Sequence, residues 1–391
     1  VAAAVISRRS VLGLVTLAAC RADPRDPECR RASGYVGAPR RDALPLDGRQ
    51  AGAIGGVLAP DFVARLETRL DEVLARSQAP AISAAYAVPG SGMWTATRGL
   101  ACVEPATPVG EGARFQACSV GKLITAALIW RLVERGQLGI EDPISKWFPR
   151  YPGAANITID QLLSHTSGIY SFNSDPNFER ELRAYHSPEA LIEEAAGHAN
   201  LFCPGATWSY SNTGYVMLGR IVERCHDRSL AEVIAAEVAQ PLELHGLVGQ
   251  EPGVAVAGLV RGHRARVPVP ADTRYEVPHG AGSVATGADD LVRVLHAVLA
   301  ARLVAATSLQ AMLRDMAPMF EDPSQRYGRG LMMVEVPGGP GLMIGHSGGA
   351  PGFRAVVAYL PAEPAFVAVM INDELPAEAG LWALVQAARA A

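Results

Sequence analysis

The stretch from Phe115 to Arg135, FQACSVGKLITAALIWRLVER, constrains this chain more than any other. From Leu123 onward it is apolar nearly all the way round, and a helix apolar on every face is normally buried inside a domain. The spacing predicts a helix whose first turn carries Ser119, where unpaired backbone N–H groups and the helix dipole favour negative charge. Lys122, three residues on, projects from the same face and comes within reach of the Ser119 hydroxyl. A serine beside a buried lysine can work as nucleophile and base, although a capping serine followed by a snorkelling lysine has the same spelling. Composition favours the chemical reading. The chain has only two lysines, Lys122 and Lys146, and its other strong cations are arginines. Arginine cannot give up its proton in a protein, whereas a desolvated lysine can.

At 391 residues the chain can build one large domain or two modest ones. With 49% hydrophobic and 19% charged residues and a net charge of −4, it reads as globular. No basic cluster with interleaved aromatics occurs, so nucleic acid is not an expected partner. Residues 1–20 read as an export signal: Ser7-Arg8-Arg9-Ser10-Val11-Leu12 is twin-arginine-like, and a short apolar run follows. Leu17-Ala18-Ala19-Cys20 also resembles a lipobox, which would lipidate Cys20 and attach the protein to a membrane; an ordinary signal cut near Ala19 is the alternative. The expected location is thus the periplasm or cell envelope. Residues 21–58 read as a flexible tether rich in Arg, Asp, Pro and Gly, and residues 59–391 as the folded domain. Cys20, Cys29, Cys102, Cys118, Cys203 and Cys225 fall in no metal-ligand spacing, and Cys118 reads as a small buried residue.

Along the domain, Asp61 to Ser77 predicts an amphipathic helix with Phe62, Leu66, Leu70, Val73 and Leu74 on one stripe. Ala81 to Val88 and Met93 to Gly99 predict a hairpin across Pro-Gly-Ser-Gly. Helices are expected at Ile159–Leu163, Pro188–Gly197, Asn212–Cys225 and Leu230–Ala239. Another is expected from Thr286, capped by the T-x-x-D signal, to about Ala300. Strands return at Gly330–Val336, Gly341–Gly345, Arg354–Leu360 and Ala365–Ile371, and Ala377–Ala388 closes the chain as a helix. Strands at both ends with helices between predict a mixed α/β (α+β) fold. One central antiparallel sheet would be completed by both termini and flanked by helices, with a helical subdomain inserted at about residues 125–275.

Two serine-hydrolase signatures compete. Gly345-His346-Ser347-Gly348-Gly349 fits G-x-S-x-G, the nucleophile elbow. That elbow needs a helix after it and a histidine later in the chain, and no histidine follows His346. The rival has three parts: Ser119-x-x-Lys122, Tyr210-Ser211-Asn212, and His346-Ser347-Gly348. In that order, with Leu162-Leu-Ser-His-Thr-Ser-Gly168 and Tyr327-Gly-x-Gly-Leu331 around them, they resemble the serine β-lactamase and penicillin-binding protein superfamily. The resemblance is to the branch of class C β-lactamases, DD-carboxypeptidases and family VIII esterases, over about residues 60–375.

The resemblance implies the β-lactamase/transpeptidase-like fold and an acyl-enzyme formed on Ser119 without metal or cofactor. It implies that Lys122 and Tyr210 share the base role and that Tyr210 passes a proton to the leaving group. Asn212, Ser347, Gly348 and Gly349 would bind substrate, with the N–H groups of Ser119 and Gly349 forming the oxyanion hole. His346 would line the cleft and assist proton transfer. A lysine usually stands at the place of His346 in class C β-lactamases, and a carboxylate-binding arginine at the place of Met332-Met333 in the peptidases; Arg329 or Arg354 are the alternative cations here. The leading expectation is a monomeric enzyme acting on D-alanyl-D-alanine peptides of peptidoglycan or on β-lactams. The runner-up is an esterase on short acyl esters, and the third reading an inactive penicillin- or peptidoglycan-binding protein. A fluorophosphonate probe should label the wild type and Ser347→Ala but not Ser119→Ala; the opposite pattern would restore the elbow.

Overall fold

The computed structural model describes residues 34–43, 46–175, 178, 184, 186–276 and 278–390. The export and lipidation readings, with Cys20 and Cys29, lie outside the described residues. The fold is built on a nine-stranded sheet. Its strands in chain order are β1 (Ala81–Val88), β2 (Gly92–Cys102), β3 (Thr107–Pro108), β4 (Ala317–Met319) and β5 (Asp322–Tyr327). They continue with β6 (Met332–Val336), β7 (Gly341–Ala350), β8 (Phe353–Leu360) and β9 (Ala365–Ile371). The spatial order is β3-β2-β1-β9-β8-β7-β6-β5-β4, antiparallel throughout. The expected closure by both ends of the domain is the β1–β9 pairing, with Ala84 opposite Val369.

The central strands are apolar on both faces because both faces are covered. Ile82, Ala84 and Tyr86 of β1 join Val367, Val369 and Ile371 of β9 under the helices Pro60–Ser77 and Ala377–Arg389. Their alternate neighbours Ala81, Ala85, Phe366, Ala368 and Met370 face the main core, with the helices Gly121–Glu134 and Ala288–Leu299. The two-residue period of a strand divides one run of apolar residues between two cores. The Gly121–Glu134 helix is buried continuously from Gly121 to Trp130, as its unbroken apolar pattern requires.

Several expectations need correction. Ser119 lies not in the first turn of the long helix but in a separate 3-10 turn, Cys118–Val120, with Cys118 in the left-handed region at φ 53°. The upstream Phe115–Gln116 is a short strand paired with Val284–Thr286, so the chain must turn sharply before the helix can begin. Thr286 is held in that pairing and does not cap: Gly287 is the cap residue, and the Thr286 hydroxyl donates to the Gly287 carbonyl at 3.4 Å. Leu230–Ala239 is an α-helix only to Ile234 and then widens into a π-turn. Strands β4 and β5 had no signal, because APM and DPSQRY contain prolines and no β-branched residue; β4 is an edge strand, where proline is tolerated. The described part of the supposed tether is bound along the domain. Arg41 and Met316 exchange backbone hydrogen bonds of 3.1 and 2.8 Å, and Ile54 is buried in the main core.

Candidate active site

Strand β6 begins at Met332 opposite Gly345 of β7, so from His346 to Ala350 the β7 strand is paired only with β8. The Cys118–Val120 turn packs against this open edge. The approach is close: a Cβ on Gly348 would lie 2.4 Å from the Ser119 backbone nitrogen. On its other side, a Cβ on Gly282 would lie 2.6 Å from the Cys118 carbonyl oxygen. Only glycine lets both segments approach the turn this closely. Ser347 sits inside the strand, opposite Val356, with a turn and another strand following, so the elbow geometry is absent.

Lys122 is wholly buried and has no carboxylate partner among the described residues. Its Nζ lies 2.6 Å from the Ala281 carbonyl oxygen, 2.7 Å from Asn212 Oδ1 and 3.2 Å from Ser119 Oγ. Burial holds its pKa well below the ordinary lysine value. No carboxylate offsets that desolvation, which favours the neutral amine. A neutral amine has two protons and one lone pair. The Ala281 carbonyl and Asn212 Oδ1 only accept, so they take the two protons, and the lone pair remains for the Ser119 hydroxyl.

Asn212 is oriented from its other end. Its Nδ2 donates to Asn173 Oδ1 at 2.8 Å, and its backbone N–H donates to Ser171 Oγ at 2.8 Å. Ser211, not Asn212, caps the following helix, accepting from the Gly214 N–H. Tyr210 stands beside Ser119, and burial pushes its phenol well above its ordinary value against the pull of that hydroxyl. At neutral pH it keeps its proton.

The Tyr210 loop is clamped by His165, a residue of the Leu162–Gly168 phrase to which sequence reasoning gave no role. The N–H groups on both sides of Tyr210 go to this one residue: Ser209 to its carbonyl at 2.9 Å and Ser211 to its Nδ1 at 3.1 Å. The His165 and Tyr210 rings are 4.2 Å apart. His165 adopts φ 60°, and burial keeps it neutral, as accepting at Nδ1 requires.

His346 is not on the cleft wall. It is buried, with Nδ1 2.6 Å from the Ser347 carbonyl and Nε2 3.1 Å from the Tyr327 hydroxyl. A carbonyl only accepts, so Nδ1 carries the proton, and Nε2 is one of two acceptors for the Tyr327 hydroxyl proton, the other being the Tyr215 hydroxyl at 3.3 Å. Burial, the largest cause, lowers the His346 pKa to about 3. Cys118 is inert, its thiol pushed up to about 12 by burial.

The cleft at Ser119 has two lobes. One is lined by Trp208, Tyr210, Phe320 and Met332, the other by Gln116, Tyr275, Arg354 and Glu374, with Asn212 and Gly349 between them. Of the two alternative cations, Arg329 is committed elsewhere: its Nε and Nη2 hold Asp160 at 2.8 and 3.1 Å. Arg354 does line the cleft, on the lobe away from Tyr210, where it donates to the Phe353 carbonyl at 2.8 Å and lies 3.8 Å from Glu374. Of the Met332-Met333 pair, Met332 faces the cleft and Met333 is in the core.

The turn, amine and open strand edge are those of an acyl-transfer serine enzyme, and comparison with known proteins agrees. The Beta-lactamase family profile matches residues 63–390, and the chain belongs to that family. Esterase EstB of Burkholderia gladioli is 30% identical over 282 residues, 62% of this chain and 71% of that protein. Penicillin-binding protein 4 of Amycolatopsis lactamdurans is 29% identical over 280 residues, 66% of this chain and 72% of its own. The D-amino acid amidase of Ochrobactrum anthropi SV3, complexed with L-phenylalanine amide, superposes with a TM-score of 0.74 at 22% identity, over 84% of this chain and 99% of that one. The protein is therefore a serine hydrolase with the β-lactamase/transpeptidase-like fold.

Two outcomes are expected. A base role for Lys122 requires the neutral amine, so kcat/KM should rise from the acid side to a plateau reached well below the ordinary lysine pKa of about 10.4. Lys122→Arg should abolish it. A rate that climbs only near pH 10 would contradict the neutral amine. His165→Asn keeps an acceptor and tolerates positive φ, and should stay within about tenfold of wild-type kcat. His165→Ala leaves the Ser211 N–H unpaired, a loss of about 1–3 kcal/mol, and should lower kcat about 10- to 100-fold with KM little changed.

Proposed function

We propose that this enzyme hydrolyses carboxylic esters with uncharged leaving groups through an acyl-enzyme on Ser119. Neutral Lys122 takes the hydroxyl proton as Ser119 Oγ bonds to the ester carbonyl carbon. The Ser119 and Gly349 N–H groups carry the oxyanion. As the C–O bond breaks, the proton passes through protonated Tyr210 to the departing alkoxide. Water then attacks the acyl-enzyme by the same route in reverse, releasing the acid and restoring Ser119. Asn212 holds Lys122 and, with Asn173, offers amide groups to the acyl chain. His346 acts indirectly, fixing the β7 backbone through Tyr327 and Ser347.

The observation that carries the ester reading is the lining of the Tyr210 lobe. Tyr210 protonates the leaving group, so its lobe receives that group, and Trp208, Phe320, Met319 and Met332 line it without a cation. A D-alanine leaving group carries a carboxylate that needs a cationic partner. Arg354, the cation that favours the peptide and β-lactam reading, lies in the opposite lobe beside Glu374. The similarity to an esterase points the same way. Action outside the cytoplasm, suggested by residues 1–20, forms part of this proposal.

The test is a comparison of kcat/KM for p-nitrophenyl butyrate, a D-alanyl-D-alanine peptide and nitrocefin. A missing charge-assisted hydrogen bond costs about 3 kcal/mol, so the ester should exceed the peptide by about 100-fold. Equal or faster turnover of the peptide or of nitrocefin would replace the ester reading.

A further inference from the structure

The hairpin that overhangs the leaving-group lobe is built against the local preferences of its own residues. Met319 of β4 pairs directly with Asp322 of β5, which leaves Phe320-Glu321 as a two-residue turn. Both residues have positive φ, 53° and 62°. A turn with two such residues favours Asn, Asp and Gly, and an aromatic residue there is strained. Phe320 is also 75% exposed, the one aromatic among the described residues with large exposed apolar side chains. Asparagine would suit the turn itself better, so the ring serves something other than the turn.

Its position shows what it can do. The Phe320 ring meets Trp208 edge to face at 5.2 Å, and both line the lobe that contains Ser119, Tyr210 and Met332. The turn is held at its base, where the Asp322 carboxylate accepts from the Ser324 N–H at 2.9 Å and from Gln325 Nε2 at 2.9 Å. The aromatic surface is thus presented on a fixed hairpin, with one edge against Trp208 and the rest open to water. Burying that surface against an apolar ligand is favourable, and a second aromatic ring fits the geometry of the pair.

We propose that Phe320, with Trp208 and Met332, forms a leaving-group subsite that selects aromatic or other bulky apolar alcohols. The proposal rests on the ester reading for the identity of the bond cleaved, but not for the shape and chemistry of the lobe. Phe320 touches the departing group and takes no part in bond making, so its effect is on selectivity.

The experiment uses Phe320→Asn and Phe320→Tyr in the full chain. Asparagine suits the positive φ, so Phe320→Asn should melt at the wild-type temperature or higher. Its kcat/KM for benzyl butyrate should fall about tenfold relative to ethyl butyrate, while Phe320→Tyr keeps the wild-type ratio. An unchanged benzyl-to-ethyl ratio in Phe320→Asn, or an equal fall for both esters, would overturn the subsite. A second measurement does not depend on ester turnover: the rate of Ser119 phosphonylation by an aryloxy phosphonate relative to a fluorophosphonate. Loss of the aryl preference in Phe320→Asn without ester hydrolysis by the wild type would sustain the subsite and sink the ester reading. Retention of that preference would overturn the subsite itself.

Discussion

The site depends on burying one amine without a counter-charge. Lys122 is enclosed by the core of its helix and meets the Asn212 side-chain oxygen, the Ala281 carbonyl and the Ser119 hydroxyl. Two acceptors that cannot donate use up the two protons of a neutral amine and direct its lone pair at the serine. A carboxylate in the same place would hold the proton on nitrogen and leave a structural ion pair. Most of the surrounding structure keeps the amine dry and its acceptors correctly turned. Asn173 orients Asn212, and the Gly280–Gly282 segment lies against the helix and supplies the carbonyl.

The sheet supplies the other half of the site. Because β6 pairs with β7 only as far as Gly345, five residues of β7 present a bare backbone edge inside the protein. An unpaired strand edge is normally a liability. Here the Cys118–Val120 turn and the cleft occupy it, and glycines at 348 and 282 allow the close approach. The same strand also separates the histidine of its motif from the chemistry. Side chains alternate along β7, and His346 is on the buried side against Tyr327.

Three of the non-glycine residues with left-handed backbone lie around the cleft. They are Cys118 before Ser119, His165 under the Tyr210 loop and Phe320 above the lobe lined by Trp208 and Met332. Each is held by surrounding contacts: β7 and Gly282 against the first, the Ser209 and Ser211 N–H groups on the second, the Asp322 network beneath the third.

Local spelling was enough to determine several things. A serine and a lysine three residues apart at the head of an apolar run, and a Tyr-Ser-Asn before a helix, are short-range patterns written by the geometry of single turns. Continuous apolar runs such as Ala365–Ile371 marked the central strands, since burial on both faces demands them. Partners distant along the chain were not legible. The Ala281 carbonyl that fixes Lys122 lies 159 residues away and belongs to a backbone group that every residue type possesses. His165 reaches Ser211 across 46 residues, and nothing in its own neighbourhood says which loop it will support. The placement of Arg354 and Met332 in opposite lobes, and of Arg329 on Asp160, was likewise decided only by tertiary packing. The sequence carried the proposed chemistry because Ser119 and Lys122 stand three residues apart. The cleft's selectivity belongs to the tertiary structure, because its walls come from segments that meet only when the sheet closes.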